Sequence, residues 1–230
     1  MNAAARKALA VINRNLFSPR RLLADSTEPV GRMFGRERGT PIDRYYIERF
    51  LDQNRAEIRG RVLEVGEDTY TRRFGGDRVS ESTILHVAYA SVASLVGDLS
   101  KPETLPEDRF DCFVCTQTFN FIFDVPAAIR GAHRVLAPGG VLLATMAGIA
   151  QISVGDAERW GDFWRFTVQA AERAFGDVFG PSNVTVDYAG NAYAATSFLR
   201  GIALEEVSTA KLDVKDREYP IVVLVVARKD

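Results

Sequence analysis

The segment from Arg61 to Gly76, RVLEVGEDTYTRRFGG, joins an apolar run to a glycine turn, and carboxylates and hydroxyls follow the turn. A strand that enters a glycine turn is typical of nucleotide sites, because the turn lets the backbone approach the ligand closely. A dinucleotide fingerprint also needs a second and a third glycine. Here Gly66 is followed by Glu67, Asp68, Thr69 and Tyr70. The stretch therefore argues against NAD or FAD and leaves two alternatives, an altered cofactor site or the remnant of one.

The elements that must position this turn alternate between apolar runs and helical patterns from Arg61 onward, which predicts an α/β fold with a mostly parallel sheet. Segment 124–140 has helical spacing with Pro138-Gly139-Gly140 as its stop, Thr167 opens a second helix, and NAYAATSFLRGIALEEV is a further predicted helix. Only about nine residues separate the ends of the second and third strands, too few for a crossover helix. We therefore expect a trimmed, doubly wound sheet. Its seven predicted strands are RVLEVG, TILHV, ASLVGDL, FDCFVCTQ, GVLLATM, NVTVDY and YPIVVLVVAR.

Composition excludes several classes of protein. The chain has 230 residues, of which 47% are hydrophobic and 26% charged, as in an ordinary globular protein. No apolar run approaches the roughly 18 to 20 residues that a membrane span needs, and the start MNAAARKALAVINRNLF is weakly apolar for a secretory signal. No basic and aromatic interleaving typical of single-strand nucleic-acid binding is present. We expect a cytoplasmic protein that binds neither membrane nor nucleic acid.

The two cysteines, Cys112 and Cys115, lie three residues apart in a predicted buried strand. Side chains at that spacing point to opposite faces of a sheet, so the thiols diverge and neither a redox pair nor a metal site is expected. The sequence shows no cluster of His, Cys and carboxylates with metal-ligand spacing, so we predict no metal.

Residues 61–146 resemble the class I S-adenosylmethionine-dependent methyltransferases. Four features carry the resemblance in order: a strand ending Glu-x-Gly, an Asp after the third strand, a fourth strand opening with FD, and a helix ending HRVLAPGG before a fifth strand. The resemblance implies a Rossmann-like sheet, S-adenosylmethionine as cofactor, and methyl transfer. The EDTYTRRFGG segment is also similar to small bacterial methyltransferase-like proteins associated with glycosyltransferases and with glycan or secondary-metabolite assembly.

The resemblance implies five cofactor-binding positions. Glu64 matches the acidic residue that orients the first loop and faces the methionine amine, and Gly66 matches the glycine at the turn. Asp98 matches the acidic residue near the adenine amino group. Thr116 and Gln117 fall at the end of the fourth strand, which normally lies under the reactive methyl.

Two departures from the family pattern concern the cofactor. The first loop is poor in glycine, and the second strand is followed by Ala88 and Tyr89 where an acidic residue normally holds the ribose hydroxyls. The pocket works if Thr69, Tyr70 or Thr71 supplies hydroxyl donors. The alternatives are a binding or scaffolding module without catalysis and a non-methylating reaction.

The segment WGDFWRFT, residues 160–167, lies where the family commonly places acceptor contacts. Trp160 and Trp164 can supply stacking faces, and Arg165 can supply a cation for an anionic group. The alternative is a helix start whose aromatic rings pack in the core. We expect a small-molecule acceptor, such as a glycan or natural-product intermediate with a hydroxyl or carboxyl.

Three carboxylates are candidates for a base that assists a hydroxyl acceptor: Asp68, Asp156 and Asp162. They are chosen by location alone. His86 lies inside a predicted strand and His133 in a predicted helix, so neither histidine is favoured as a base.

Residues 1–60 are predicted to form a helical extension ahead of the α/β domain at 61–230. Residues 1–61 carry 13 Lys and Arg against 7 Asp and Glu, a balance of +6, which fits either a solvated helix or a lid over an acidic pocket. Tyr45 and Tyr46 point in different directions on a helix, so the lid predicts one of them near the cofactor. A helix that merely covers a sheet edge is the alternative. The sequence leaves the oligomeric state open, a homodimer included.

Overall fold

The computed structural model describes residues 11–12 and 27–230. The weakly apolar start and much of the predicted extension therefore lie outside the described residues. The strands are β1 (Gly60–Val65), β2 (Val79–His86), β3 (Leu95–Val96), β4 (Phe110–Thr116), β5 (Leu136–Ala147), β6 (Val184–Ala189) and β7 (Val222–Arg228). The helices are α1 (Ile42–Gln53), α2 (Val125–Val135), α3 (Val154–Arg159), α4 (Val168–Phe179), α5 (Ala192–Leu199) and α6 (Thr209–Leu212). None of these helices is long and apolar enough to cross a membrane.

The strands form one seven-stranded sheet in the order β3-β2-β1-β4-β5-β7-β6. The pairs β1 with β2, β1 with β4, β2 with β3, and β4 with β5 are parallel. The order runs outward in two directions from β1 and β4, so their carboxyl ends form the switch point at which α/β sheets bind ligands. The predicted doubly wound, mostly parallel seven-stranded sheet is confirmed. As the short spacing predicted, no described helix connects β2 to β3.

Side-chain caps fix where the helices begin. The Asp124 side chain accepts a hydrogen bond from the Ala127 amide at 2.9 Å, and Thr167 accepts one from Ala170 at 3.2 Å. These bonds satisfy amides that have no partner inside the helix, so they favour the observed starts of α2 and α4. Thr167 was the predicted cap.

Two predicted boundaries are wrong. The residues expected to stop the helix after Val135, Pro138 to Gly140, lie within β5 instead. Phe110 pairs with Leu136 and Cys112 with Val141, so the four residues 137–140 form a bulge in the ladder. The helix predicted over NAYAATSFLRGIALEEV ends at Leu199, because the chain turns at Gly201 with φ of 70°.

Contacts divide the chain into two compact units. Of the described residues, unit 1 comprises 11–12, 27–48, 148–153 and 188–222, and unit 2 comprises 49–147, 154–187 and 223–230. This grouping differs from the predicted division at residue 60, because residues 38–46 bond to residues 203–213. Within unit 1, the buried Arg38 guanidinium forms a bidentate ion pair with Glu206, and Pro41 pairs with Ala203 as an isolated bridge.

Unit 2 holds the main apolar core. Side chains from β1, β4, β5 and β7 pack with those of α2 and α4, and Phe119 meets Phe175 edge to face at 5.3 Å. Cys112 and Cys115 are buried and unbonded in β4, as predicted. Burial raises the pKa of both thiols, that of Cys115 to about 12, so they are inert core residues.

Candidate functional site

A cavity of about 770 Å³ opens at the carboxyl ends of β1 to β4, within unit 2. Its volume lies in the range of small-molecule and cofactor sites. It has a backbone-rich side built from the strand ends and a side rich in aromatic rings. The first side is lined by Val65, Gly66, Leu85, His86, Val87, Ala88, Gly97, Asp98, Leu99, Ser100, Gln117 and Thr118. The second is lined by Phe121, Ile122, Phe123, Asp156, Arg159, Trp160 and Phe163.

The turn at Gly66 is open toward this cavity. Gly66 has φ of 85°, a conformation that other residues rarely adopt, and no atom lies within 4 Å of the position that a Cβ would take. Its amide donates to the Leu85 carbonyl at 3.0 Å, and His86 Nε2 lies 2.9 Å from the Gly66 carbonyl oxygen. Because a carbonyl only accepts, this contact assigns a proton to Nε2, and in the neutral ring Nδ1 is then an acceptor.

Glu64 holds the glycine-poor loop in place. Its carboxylate is buried at the end of β1, where it accepts hydrogen bonds from the Tyr70 amide at 3.2 Å and the Thr71 amide at 2.7 Å. These amides begin the π-helical turn Thr71–Gly75. Burial raises the pKa of Glu64, bonds from Thr71 and Tyr70 oppose that rise, and the charge of Glu67 adds to it. Hydrogen bonds to the Glu64 carboxylate therefore fix the conformation of this loop. A glycine-rich loop instead reaches its conformation because glycine allows a wider range of backbone angles.

Asp98 shapes the turn after β3. Its Oδ1 accepts from the Ser100 amide at 2.9 Å and the Ser100 hydroxyl at 2.7 Å, and Lys101 Nζ lies 3.6 Å from Oδ2. The carboxylate stays partly exposed at the cavity. An acceptor oxygen therefore stands where a ligand amine can reach it.

Gln117 carries backbone strain at the end of β4. It has φ of 50°, which costs a residue with a side chain of the order of 1 kcal/mol. The Gln117 amide donates to the Thr145 carbonyl at 2.8 Å, so the neighbouring strand holds this conformation. Thr116 precedes it inside β4, paired with Thr145, and does not line the cavity.

The comparisons with known proteins agree with this geometry. Residues 62–144, from β1 through most of β5, match the model of a methyltransferase domain family. This segment is similar to a methyltransferase domain, and the sheet has the fold of the class I methyltransferases. No curated protein matches the chain in sequence.

Solved structures share the fold of this methyltransferase domain. An S-adenosylmethionine-dependent methyltransferase from Mesorhizobium loti is 16% identical, with 82% of this chain and 98% of that chain covered at a TM-score of 0.52. One from Archaeoglobus fulgidus is 10% identical, with 81% and 94% covered at 0.52. The [4+2]-cyclase SpnF is 16% identical, with 79% and 80% covered at 0.52. At these identities the likeness shows the fold, and the cofactor that the methyltransferase domain implies is S-adenosylmethionine.

The predicted acceptor residues of the methyltransferase domain lie in different settings. Trp160 lines the cavity and is 47% exposed. Trp164 does not line it, and its Nε1 donates to the Phe123 carbonyl at 3.2 Å. Arg165 forms a bidentate ion pair with Asp162, whose side chain is buried. Their roles toward an acceptor stay predictions, and Trp160 is the one of the three at the cavity.

The three candidate bases are likewise separated. Asp156 lines the cavity on α3, whereas Asp162 is held by Arg165 away from its lining. Asp68 accepts from Arg72 at 2.7 Å and from Ser82 at 3.0 Å. Burial alone would raise the pKa of Asp68, but these bonds outweigh burial and lower it. A lowered pKa makes Asp68 a weaker base, and Asp156 is the one of the three that lines the cavity; the role of a base stays a prediction for all three.

Tyr45 and Tyr46 belong to unit 1, whereas the cavity belongs to unit 2. The Tyr45 hydroxyl donates to Asp213 at 2.6 Å, and the Tyr46 hydroxyl donates to the Leu212 carbonyl at 2.8 Å. The lid and the tyrosine contacts to cofactor stay predictions.

Sequence reasoning missed His86. It was passed over as a strand residue, but it is the last residue of β2 and lines the cavity beside Gly66. Its position one residue before the exposed pair Val87 and Ala88 was the available signal, because polar side chains at strand ends face ligands in this type of sheet. Among the described residues, no group of His, Cys, Asp or Glu is arranged to hold a metal.

Proposed function

We propose that the protein transfers a methyl group from S-adenosylmethionine to a small acceptor of the sugar or natural-product kind, at a hydroxyl or carboxyl. The observation that carries this proposal is the cavity at the switch point, into which the Gly66 turn opens without obstruction. When bound, the cofactor supplies a methyl group already activated by a sulfonium. The protein's contribution is then to position both partners and to exclude water.

The strand ends supply the groups that hold the cofactor. The Glu64 carboxylate faces the methionine ammonium while it anchors the loop, and Asp98 accepts from the adenine amine. His86, two residues before the position at which family members place a ribose-binding carboxylate, offers Nδ1 as an acceptor in its neutral form. The assignments of Asp98 and His86 are supported by their place in the cavity lining. That of Glu64, which does not itself line the cavity, is supported by its burial beside Gly66 and by its hydrogen bonds to the loop.

The acceptor lies on the aromatic side, next to Gln117. The strained backbone of Gln117 keeps its peptide group in a fixed orientation at the end of β4, and such strain concentrates at ligand sites. For a hydroxyl acceptor, the Asp156 carboxylate would take the proton of the acceptor hydroxyl. Arg159 lines the same side of the cavity.

A non-methylating reaction in the same cavity is the second candidate. The glycine-poor loop and His86 at the end of β2 both depart from the family pattern, and the fold is shared with a protein described as a [4+2]-cyclase. A binding module without catalysis is the further alternative that the altered loop favours. Transfer of labelled methyl from S-adenosylmethionine to an acceptor separates the first proposal from both of these.

A pair of glycine variants tests the cofactor site. Gly66 and Gly76 both have positive φ, 85° and 56°, and both have open space where a Cβ would stand, but only Gly66 lines the cavity. Alanine therefore meets an unfavourable φ at either position, and Gly76→Ala controls for backbone strain in the same loop. We expect Gly66→Ala to weaken S-adenosylhomocysteine binding at least fivefold in calorimetry, and Gly76→Ala to leave it within twofold. Equal affinities for the two variants would contradict the proposed site.

A further inference from the structure

The aromatic side of the cavity presents rings to solvent. Phe123, Trp160 and Phe163 line it and are 68%, 47% and 47% exposed. Large apolar side chains grouped at the rim of a cavity mark a binding surface, since burying them against a ligand is favourable. The group is distinct from the strand ends that serve the cofactor.

These rings are held in place before any ligand arrives. Phe123 meets Phe163 edge to face at 5.4 Å and Trp164 at 5.8 Å, and the Phe163 amide donates to the Asn120 carbonyl at 2.9 Å. The Phe163 ring also packs over Gly161, where a Cβ would collide with it. A preformed surface loses little conformational entropy when it binds a ligand.

The polar groups on this side are few. Arg159 and Trp160 follow Asp156 by three and four residues, which are helical spacings, and α3 and the turn after it present all three to the cavity. No described residue forms an ion pair with Arg159. A cation therefore stands beside a flat apolar surface.

We infer that the acceptor is a planar aromatic molecule that carries an anionic substituent, with its ring against Trp160 and Phe163 and its anion at Arg159. A sugar ring would bring several hydroxyls, each of which needs a partner when it leaves water, and Asp156 and Arg159 are the charged side chains that this side offers. An aromatic ring gains from stacking and edge contacts and needs one polar partner. This inference rests on the proposed function, because it names the acceptor of the same site.

The test uses calorimetry of the full chain with 6-hydroxy-2-naphthoate, with and without S-adenosylhomocysteine. We expect Trp160→Ala to weaken naphthoate binding at least fivefold while S-adenosylhomocysteine affinity stays within twofold. Tyr219→Ala removes another exposed aromatic residue that does not line the cavity, and we expect it to change neither. Phe163→Leu replaces Trp160→Ala if that variant does not fold. Arg159→Gln should weaken naphthoate binding at least threefold and leave binding of neutral 2-naphthol unchanged.

Several results would overturn the inference: no naphthoate binding by the wild-type protein, equal binding by wild type and Trp160→Ala, or binding of glucuronate, an anionic sugar, at least as tight as that of naphthoate. Naphthoate binding without any S-adenosylhomocysteine binding would instead refute the proposed methyl transfer and support the aromatic ligand. S-adenosylhomocysteine binding without naphthoate binding would support the proposed cofactor site and refute the aromatic acceptor.

Discussion

Replacing Glu64 with glutamine removes one charge and leaves the size of the side chain unchanged. In the wild-type protein both carboxylate oxygens accept a backbone amide, Tyr70 at 3.2 Å and Thr71 at 2.7 Å. Glutamine has one acceptor oxygen, so its amide group must face one of these N–H donors. Leaving that donor unpaired costs about 1 to 3 kcal/mol. Relief of a buried charge offsets part of this cost, since burial already raises the pKa of Glu64. We therefore expect the free energy of unfolding to change by less than about 2 kcal/mol.

The effect on cofactor affinity should be larger than the effect on stability. A hydrogen bond to a charged partner contributes about 1.5 to 3 kcal/mol, which is roughly a tenfold to 150-fold change in affinity. We expect Glu64→Gln to weaken S-adenosylhomocysteine binding by about tenfold or more in calorimetry. The matched control is Glu67→Gln, the same chemical change at an exposed position of the same loop, which should stay within twofold.

A second ligand separates the two roles of Glu64. 5′-Methylthioadenosine lacks the amino-acid part, so its affinity should fall much less than that of S-adenosylhomocysteine. An equal loss for both ligands would show that Glu64 acts only by holding the loop. Unchanged S-adenosylhomocysteine affinity in Glu64→Gln would refute the reasoning altogether.

Three further predictions follow from the same contacts. Asp98→Asn should weaken S-adenosylhomocysteine binding less than Glu64→Gln in the same calorimetry, because the adenine amine is neutral; a larger loss would reverse the two assignments. The pKa of Glu64 is raised above its ordinary 4.5 in the folded protein. The protonated side chain therefore contributes fully to stability below about pH 4.5, and this contribution is lost as pH rises through the pKa of the folded state. The ionised form that then predominates favours cofactor binding. Wild-type affinity should therefore rise with pH above 4.5, and a Glu64→Gln titration with the same slope would contradict this. Glu206→Ala removes the carboxylate that pairs with the buried Arg38 and should lower the free energy of unfolding by about 3 to 5 kcal/mol in urea, whereas Arg38→Met with Glu206→Leu should recover most of it. Equal losses for the single and double variants would argue against the importance of the pair.

The sheet could be predicted because its signals are local. β1 and β4 are short runs rich in Val, Leu and Phe, which are typical of buried strands. Thr167 indicates the start of α4, because its side chain accepts a hydrogen bond from an amide in the first turn. The start of β5 could not be predicted, because residues Pro138 to Gly140 are typical of a helix stop. Their place in a bulge of β5 depends on the pairing of that strand with β4. Local propensity shows that the helix ends before Pro138, but it does not show that the residues after the helix belong to a strand.

The site was predictable in part for the same reason. Glu64, Gly66 and Asp98 follow strand runs that the sequence shows directly. The hydrogen bond between His86 and the Gly66 carbonyl joins the ends of β2 and β1. It depends on the register between these strands, so the sequence of either strand alone does not predict it. The ion pair of Arg165 with Asp162, at a spacing of three residues, was within reach of the sequence and was not anticipated.

The most direct measurement of the central claim is a calorimetric titration of the wild-type protein with S-adenosylhomocysteine, paired with a melting curve. We predict one site per chain with a dissociation constant in the range of about 1 to 100 μM. At ligand a hundred times that constant, the folded state should gain about 2.7 kcal/mol and the melting temperature should rise. The absence of heat, together with an unchanged melting curve at about millimolar ligand, would contradict the claim that this cavity binds the methyl-donor cofactor.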